Sequence, residues 1–281
     1  MCGIAGAVDW EREVDVEAVR RMTRRLARRG PDAEKVVRRG AVSLGHRRLA
    51  VIDPTPAGEQ PMSDHAGRYW IVLNGEIYNY RELRRELTDE GASFRTATDT
   101  EVLIEAYKRW GIDCLSRLNG MFAFALWDEP QQCLLLARDR LGEKPLYYKA
   151  LSGGGLAFAS GLKALRLHPA VEPAVEPAAL GELLSLNYVV GAHSMMRGVS
   201  RLPPAHFLTA TRAGTAAPTR YWDLAAAFRN KRRFASEAAR APRSSKRWPA
   251  GCPWSRRRSA RRTSERWTGA TIEPRRRPTP S

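Results

Sequence analysis

The chain has 281 residues, 43% of them hydrophobic, which is enough for a packed core, too many for a wholly disordered chain, and at about 150 residues per domain fits one or two domains. No apolar run approaches the roughly 18 residues of a membrane span, the N-terminus lacks a secretory layout, and cysteines at positions 2, 114, 133 and 252 form no CxxC pair. A membrane protein, a disulfide scaffold and a cysteine zinc site are therefore excluded, and a cytoplasmic setting is expected.

The elements follow in chain order from apolar spacing and turn residues. Residues 3–8 predict a strand. Residues 14–29 carry Val16, Val19, Met22 and Leu26 at helical spacing and end at Gly30-Pro31. Strands are predicted over 42–44, 49–52 and 69–73, the last running into the turn signal Asn74-Gly75. Helices are predicted over 80–90 and 100–110, closed by Gly91 and Gly111, with Thr98 or Asp99 as the second N-cap. Residues 121–127 and 133–137 predict a strand pair, and 146–149 with 156–159 a hairpin around Ser152–Gly155. Strands and helices in non-alternating order suggest an α+β fold, sheets sandwiched by helices. Beyond 161 come a proline-containing linker (171–178), a short helix (178–186) and the edge of a second domain (199–208 and 220–224).

The net charge of +17 is local. Residues 229–281 hold 17 basic and 3 acidic residues, a net of +14, which leaves +3 for residues 1–228. This tail has no Leu or Val, six prolines and three tryptophans, so disorder is expected of it. Its abrupt Arg/Pro/Ser bias is what out-of-frame reading of a G+C-rich gene would produce. Nothing in the body supports base readout, so nucleic acid is not the expected partner.

Cys2 is the first chemical clue. Removal of Met1 would place an α-amine beside its thiol, and an amine of pKa about 7.7–8.0 can serve as a base near neutrality. On position alone, a small buried cysteine is the simpler reading. The surrounding blocks change the balance: Met1-Cys2-Gly3-Ile4 with Gly6; Arg29-Gly30-Pro31-Asp32; Gly45-His46-Arg47-Arg48-Leu49-Ala50-Val51-Ile52-Asp53; Leu73-Asn74-Gly75-Glu76-Ile77-Tyr78-Asn79; Thr98-Asp99-Thr100-Glu101; Leu118-Asn119-Gly120-Met121-Phe122-Ala123; and Ala137-Arg138-Asp139-Arg140-Leu141-Gly142 followed by Lys144-Pro145-Leu146-Tyr147-Tyr148. In this order the chain resembles the class II glutamine amidotransferases, the N-terminal-nucleophile glutaminases, and within them the asparagine synthetase branch.

The resemblance implies an αββα sandwich over residues 1–161, then a linker and the start of a synthetase domain over 162–228, with the basic tail at 229–281. It implies Cys2 as nucleophile, and Asn74 with the Gly75 backbone N–H as the oxyanion hole. Arg48 would bind the α-carboxylate of glutamine, for which a forked guanidinium is well suited. Asp99 would bind the α-ammonium, a helix cap being its competing role. Glu76 would lie near the amino group, and the backbone of Leu49, Ala50, Val51 and Ile52 would line the pocket. Arg47 is expected at the surface, and Cys114 and Cys133 in the core. The Arg29–Asp32 block is expected to fix a turn. No cofactor is implied for glutamine hydrolysis. The five histidines have no metal-ligand spacing. ATP and Mg are implied only for a synthetase domain, whose Ser-Gly-Gly-x-Asp-Ser signature this sequence does not contain. Ser152–Gly155 is expected to be a plain turn, since no helix or lysine follows it. Glutamine is the expected substrate; a separate synthetase and a second copy of the chain stay open as partners. An inactive truncated product and a stand-alone glutaminase stay open as alternatives.

Overall fold

The computed structural model describes residues 1–229. The strands are β1 (Gly3–Val8), β2 (Ala33–Arg39), β3 (Val42–Arg48), β4 (Met62–Ser63), β5 (Tyr69–Ile77), β6 (Gly120–Asp128), β7 (Cys133–Arg138), β8 (Tyr147–Ala150), β9 (Leu156–Ala159), β10 (Ser200–Arg201), β11 (His206–Thr211), β12 (Gly214–Thr215) and β13 (Thr219–Arg220). The helices are α1 (Val16–Arg25), α2 (Tyr80–Asp89), α3 (Asp99–Trp110), α4 (Cys114–Arg117), α5 (Leu162–Leu165), α6 (Pro177–Leu186) and α7 (Leu224–Arg229). One sheet runs β10-β8-β9-β1-β3-β2 and the other β12-β11-β7-β6-β5-β4, with β13 beside β11. The paired strands are antiparallel.

Side-chain alternation along the strands builds the layers. On β1, Ile4 and Val8 point into the space between the sheets, where they join Leu44 and Phe158 of one sheet and Val72, Trp127 and Leu136 of the other. Ala5 and Ala7 point the opposite way and pack under Val19, Met22 and Leu26 of the α1 region, and Ala164 and Leu165 of α5. On the far side, α3 packs against β5 and α2 against α3. Each sheet is thus covered on its outer face by helix, the α+β sandwich that the sequence suggests. Among the described residues no helix is long and apolar enough to cross a membrane.

Two sequence expectations need correction, and one strand carries no signal in the sequence. Asn74-Gly75 is not a turn. Strand β5 runs through it, with Asn74 opposite Ala123 and Gly75 opposite Phe122. Here the glycine is needed for closeness, because a Cβ on Gly75 would stand 2.1 Å from the Met121 carbonyl oxygen. Residues 49–52 are not a strand, since the chain leaves the sheet at Arg48. The side chain of Arg48 then gathers the following loop by donating to the Asp53 and Thr55 carbonyls. Strand β2 was not legible, because Ala33–Arg39 is an edge strand rich in charge and only partly buried.

The segment expected to open a second domain is woven into both sheets. β10 extends one sheet beside β8, and β11 pairs along β7 from Phe207 opposite Ala137 to Ala210 opposite Leu134. Ala205, just before β11, stands at φ 58°, a conformation that glycine takes more freely. The tail expectation for residues 230–281 lies outside the described residues.

Candidate active site

Cys2 precedes β1, and its thiol faces the residues that follow β3. Leu49 N–H points at Sγ from 3.4 Å, and Sγ lies 3.6 Å from the Leu49 carbonyl oxygen. Cys2, Arg48, Leu49, Val51, Ile52, Asn74, Gly75, Glu76 and Asp99 line one cavity of about 190 Å³. Of the ten residues implied by the sequence, Ala50 alone is absent from that wall. Its N–H is instead tied to the Asp32 carboxylate at 2.7 Å, so it anchors the loop whose neighbours reach the cavity. Arg29 does more than hold a turn: its Nε donates to the Cys2 carbonyl at 3.1 Å.

Asn74 carries the plainest chemical signal. The residue is fully buried, and among the described residues neither its Oδ1 nor its Nδ2 has a hydrogen-bond partner. A buried amide left unsatisfied costs about 1–3 kcal/mol, and such groups are rare unless they serve a ligand. The strand fixes it beside Gly75, whose lack of a side chain lets β5 and β6 close up at that point.

Arg48 and Asp99 supply two of the charges on the cavity wall. Arg48 is 7% exposed and makes no ion pair within 4 Å among the described residues; its fork is held by backbone carbonyls alone. Asp99 begins α3, whose N-cap is Thr98, accepting from Glu101 N–H at 3.1 Å. The choice left open by the sequence is thereby decided, and the Asp99 carboxylate is free to accept from Ile77 N–H at 2.9 Å and Thr100 Oγ1 at 3.4 Å. Burial pushes the Asp99 pKa up, the Ile77 and Thr100 N–H groups oppose that, and Glu76 adds to the rise. Burial also raises the Cys2 thiol. The Leu49 N–H, the chain terminus and Arg48 pull it back down, while Asp99 raises it.

Arg47 is not the solvated cation expected. It is 13% exposed, pairs with Glu34 at 2.9 Å and donates to the Gly30 carbonyl at 2.7 Å. Adjacent arginines on β3 point to opposite faces, so one staples β2 while its neighbour reaches the cavity. Cys114 and Cys133 are core thiols.

His46, Gln60, Thr98, Thr100 and Lys144 also line the cavity, with no site role evident from the sequence. Gln60 bridges Leu73 N–H at 2.6 Å and Thr100 Oγ1 at 3.0 Å; no motif marks it. His46 sits inside one of the motif blocks, where its spacing marks no role. It is fully enclosed, and its Nε2 lies 3.2 Å from the Leu73 carbonyl. Because a carbonyl can only accept, Nε2 carries the hydrogen. Burial, with Arg48 and Arg47 adding to it, drops its pKa to about 4 against the lift from the Leu73 bond.

The unfolded chain thus takes up a proton at His46 near pH 6.5 that the folded chain refuses until about pH 4. Stability is full above that window and is lost as pH falls through it. From pH 7.5 to 5 the loss from this group is expected to be about 2 kcal/mol, read from urea midpoints. His46→Gln, which keeps a donor for Leu73, should remove that part of the slope.

Among the described residues no three His, Cys, Asp or Glu side chains are grouped to hold a metal ion. Nor does Ser152–Gly154 suit a nucleotide phosphate. It is a turn between β8 and β9, and the Glu11 carboxylate crowds Gly153.

Two antiparallel sheets lie between helices, and the thiol of the second residue, at the head of a strand, faces a cavity lined by Arg48, Lys144, Glu76, Asp99 and the unpaired Asn74 amide; this is the fold and site layout of a class II glutamine amidotransferase domain. The chain belongs to the glutamine amidotransferase domain family, whose model matches residues 1–222. It is 40% identical over 229 residues to asparagine synthetase [glutamine-hydrolyzing] 3 of Bacillus subtilis, covering 80% of this chain and 37% of that protein. It is 39% identical over 244 residues to a putative asparagine synthetase [glutamine-hydrolyzing] of Mycobacterium tuberculosis, with 79% and 37% covered. It is 37% identical over 206 residues to amidase chry2 of Gibberella zeae, with 71% and 29% covered. The chain therefore spans between 29% and 37% of the length of these relatives. Among solved structures, the B. subtilis glutamine phosphoribosylpyrophosphate amidotransferase shares the fold, with a TM-score of 0.57 and 21% identity over 79% of this chain and 49% of that one.

Proposed function

We propose that the chain, once Met1 is removed, hydrolyses glutamine to glutamate and ammonia through a γ-glutamyl thioester on Cys2. The observation that carries this reading is the buried, unpaired Asn74 amide in the same cavity as the Cys2 thiol. Arg48 takes the α-carboxylate of glutamine, and Asp99 with Glu76 takes the α-ammonium. This lays the side-chain amide toward Cys2, with Leu49, Val51 and Ile52 lining the pocket and Ala50 holding its loop. The Cys2 amine accepts the thiol proton as Sγ attacks the δ-carbon. Asn74 Nδ2 and the Gly75 N–H receive the oxygen as it gains charge. The amine then gives its proton to the departing nitrogen, ammonia leaves, and the C–S bond remains. Water attacks the thioester, passing a proton to the amine. The C–S bond breaks, the sulfur recovers its proton, and glutamate is released.

The direct test is to incubate Met1-free protein with glutamine and without ATP, and to measure both products. Glutamate and ammonia in equal amounts are expected, and neither above background would overturn the proposal. Arg48→Lys keeps the charge but loses the fork. It is expected to raise KM for glutamine about ten- to a hundredfold, the scale of one or two charge-assisted hydrogen bonds, with kcat changed much less. An unchanged KM would remove Arg48 from substrate recognition.

The ammonia acceptor is proposed to be aspartate, as the names of the synthetase relatives suggest, with ATP and Mg used by a module outside the matched segment. The likeness to a protein named as an amidase supports a second reading, in which the same glutaminase feeds a different acceptor.

A further inference from the structure

Lys144 shares the cavity wall with Cys2 and has no part in the steps above. It is 5% exposed, and no carboxylate among the described residues lies within 4 Å of its Nζ. A buried lysine without an acid is uncommon. The partner of Nζ is the Met1 Sδ at 3.3 Å, a weak acceptor that departs with Met1. The backbone here is held independently of the side chain. Lys144 N–H donates to Asp139 Oδ2 at 3.0 Å, and its carbonyl accepts from Arg138 Nε at 2.7 Å.

The other charged and titratable groups around the nucleophile are known. Arg29 holds the Cys2 carbonyl and feels Tyr147. Arg48 and Asp99 act on the thiol with opposite signs. Glu76 and a neutral His46 complete the wall. In the proposed reaction Arg48, Asp99 and Glu76 are taken up by the charges of glutamine, while Lys144 is not.

We propose that Lys144 is a positioning residue for the proton inventory of Cys2: its ammonium keeps the freed α-amine unprotonated and the thiol ready to ionise. This rests on the N-terminal-nucleophile reading. Two ammonium groups on the wall of one cavity disfavour each other's protons. An α-amine ordinarily titrates near 7.7–8.0 and a lysine near 10.4, so the amine yields first. A neutral amine is what the first step requires.

The test is the pH profile of kcat/KM for glutamine in Met1-free wild type, K144M, K144Q and K144R, with Met1 loss checked by intact mass. Removing the cation raises the pKa of the amine, so the acidic limb is expected to move up by about one pH unit in K144M and K144Q. Activity should be about tenfold down near pH 6.5 and close to wild type near pH 9, with K144R keeping the wild-type limb. Alkylation of Cys2 by iodoacetamide, followed by mass against pH, should show the same upward shift in both neutral variants. Profiles lowered equally at every pH, or superimposed on wild type, would overturn the inference while leaving the glutaminase intact. Wild type that releases no glutamate would overturn the reading and the inference together.

Discussion

Replacing Cys2 with alanine is expected to lower glutamine hydrolysis by a factor on the order of 10⁴ or more, down to what oriented binding alone supplies. The size follows from how much passes through one residue. In the proposed reaction the sulfur forms the covalent bond, and among the described residues no other thiol can take over. Cys114 and Cys133 are 0% and 2% exposed, neither lines the cavity, and burial holds the Cys114 thiol far above its ordinary range. The variant should bind glutamine with an affinity close to wild type, because Arg48 and Asp99 are untouched, and calorimetry would read this directly. Residual turnover within tenfold of wild type would show that the chemistry lies elsewhere.

Asn74→Ala is expected to lower kcat by about 10²–10³, the usual effect of losing one oxyanion donor, with KM nearly unchanged. The second half of the expectation concerns stability. Asn74 is fully buried with both polar atoms unpaired, so deleting its amide removes an unmet desolvation cost of about 1–3 kcal/mol. The variant should be at least as stable as wild type in urea, although most buried polar truncations destabilise. Rate and stability moving in opposite directions is the mark of a group held for a reaction at the fold's expense. A variant that lost both together would instead make Asn74 a structural residue.

Much of this site was legible because its chemistry sits in short runs. Cys2, Arg48, Asn74-Gly75 and Asp99 each belong to a block whose residue types suit a zwitterionic amide, and the sandwich brings them to one cavity. What the sequence concealed has physical reasons. Asn-Gly is the strongest short hairpin signal, and only the close approach of Met121 across the sheet shows why the glycine is needed in a straight strand. Gln60 acts through partners 13 and 40 residues away, a relation that no local spacing encodes. Arg47 and Arg48 are alike in type and adjacent, and pleating alone sends one to Glu34 and the other to the cavity. Apolar runs located β1, β6 and β7, which are buried on both faces, whereas β2 lacked such a run because it lies at the margin.

The strands drawn from residues 200–220 give the molecule an unusual indivisibility. β7 is a central strand only because β11 lies along it; shortened at residue 161, the chain would present a row of bare amides and carbonyls flanked by Leu134, Leu135 and Leu136, an adhesive margin for any other extended peptide. The amidotransferase domain is thus not a cassette that ends where its recognisable motifs end. Whatever it is joined to, by covalent linkage or by encounter, it must bring along about sixty residues (162–220) that contribute no group to the cavity and yet seal its scaffold.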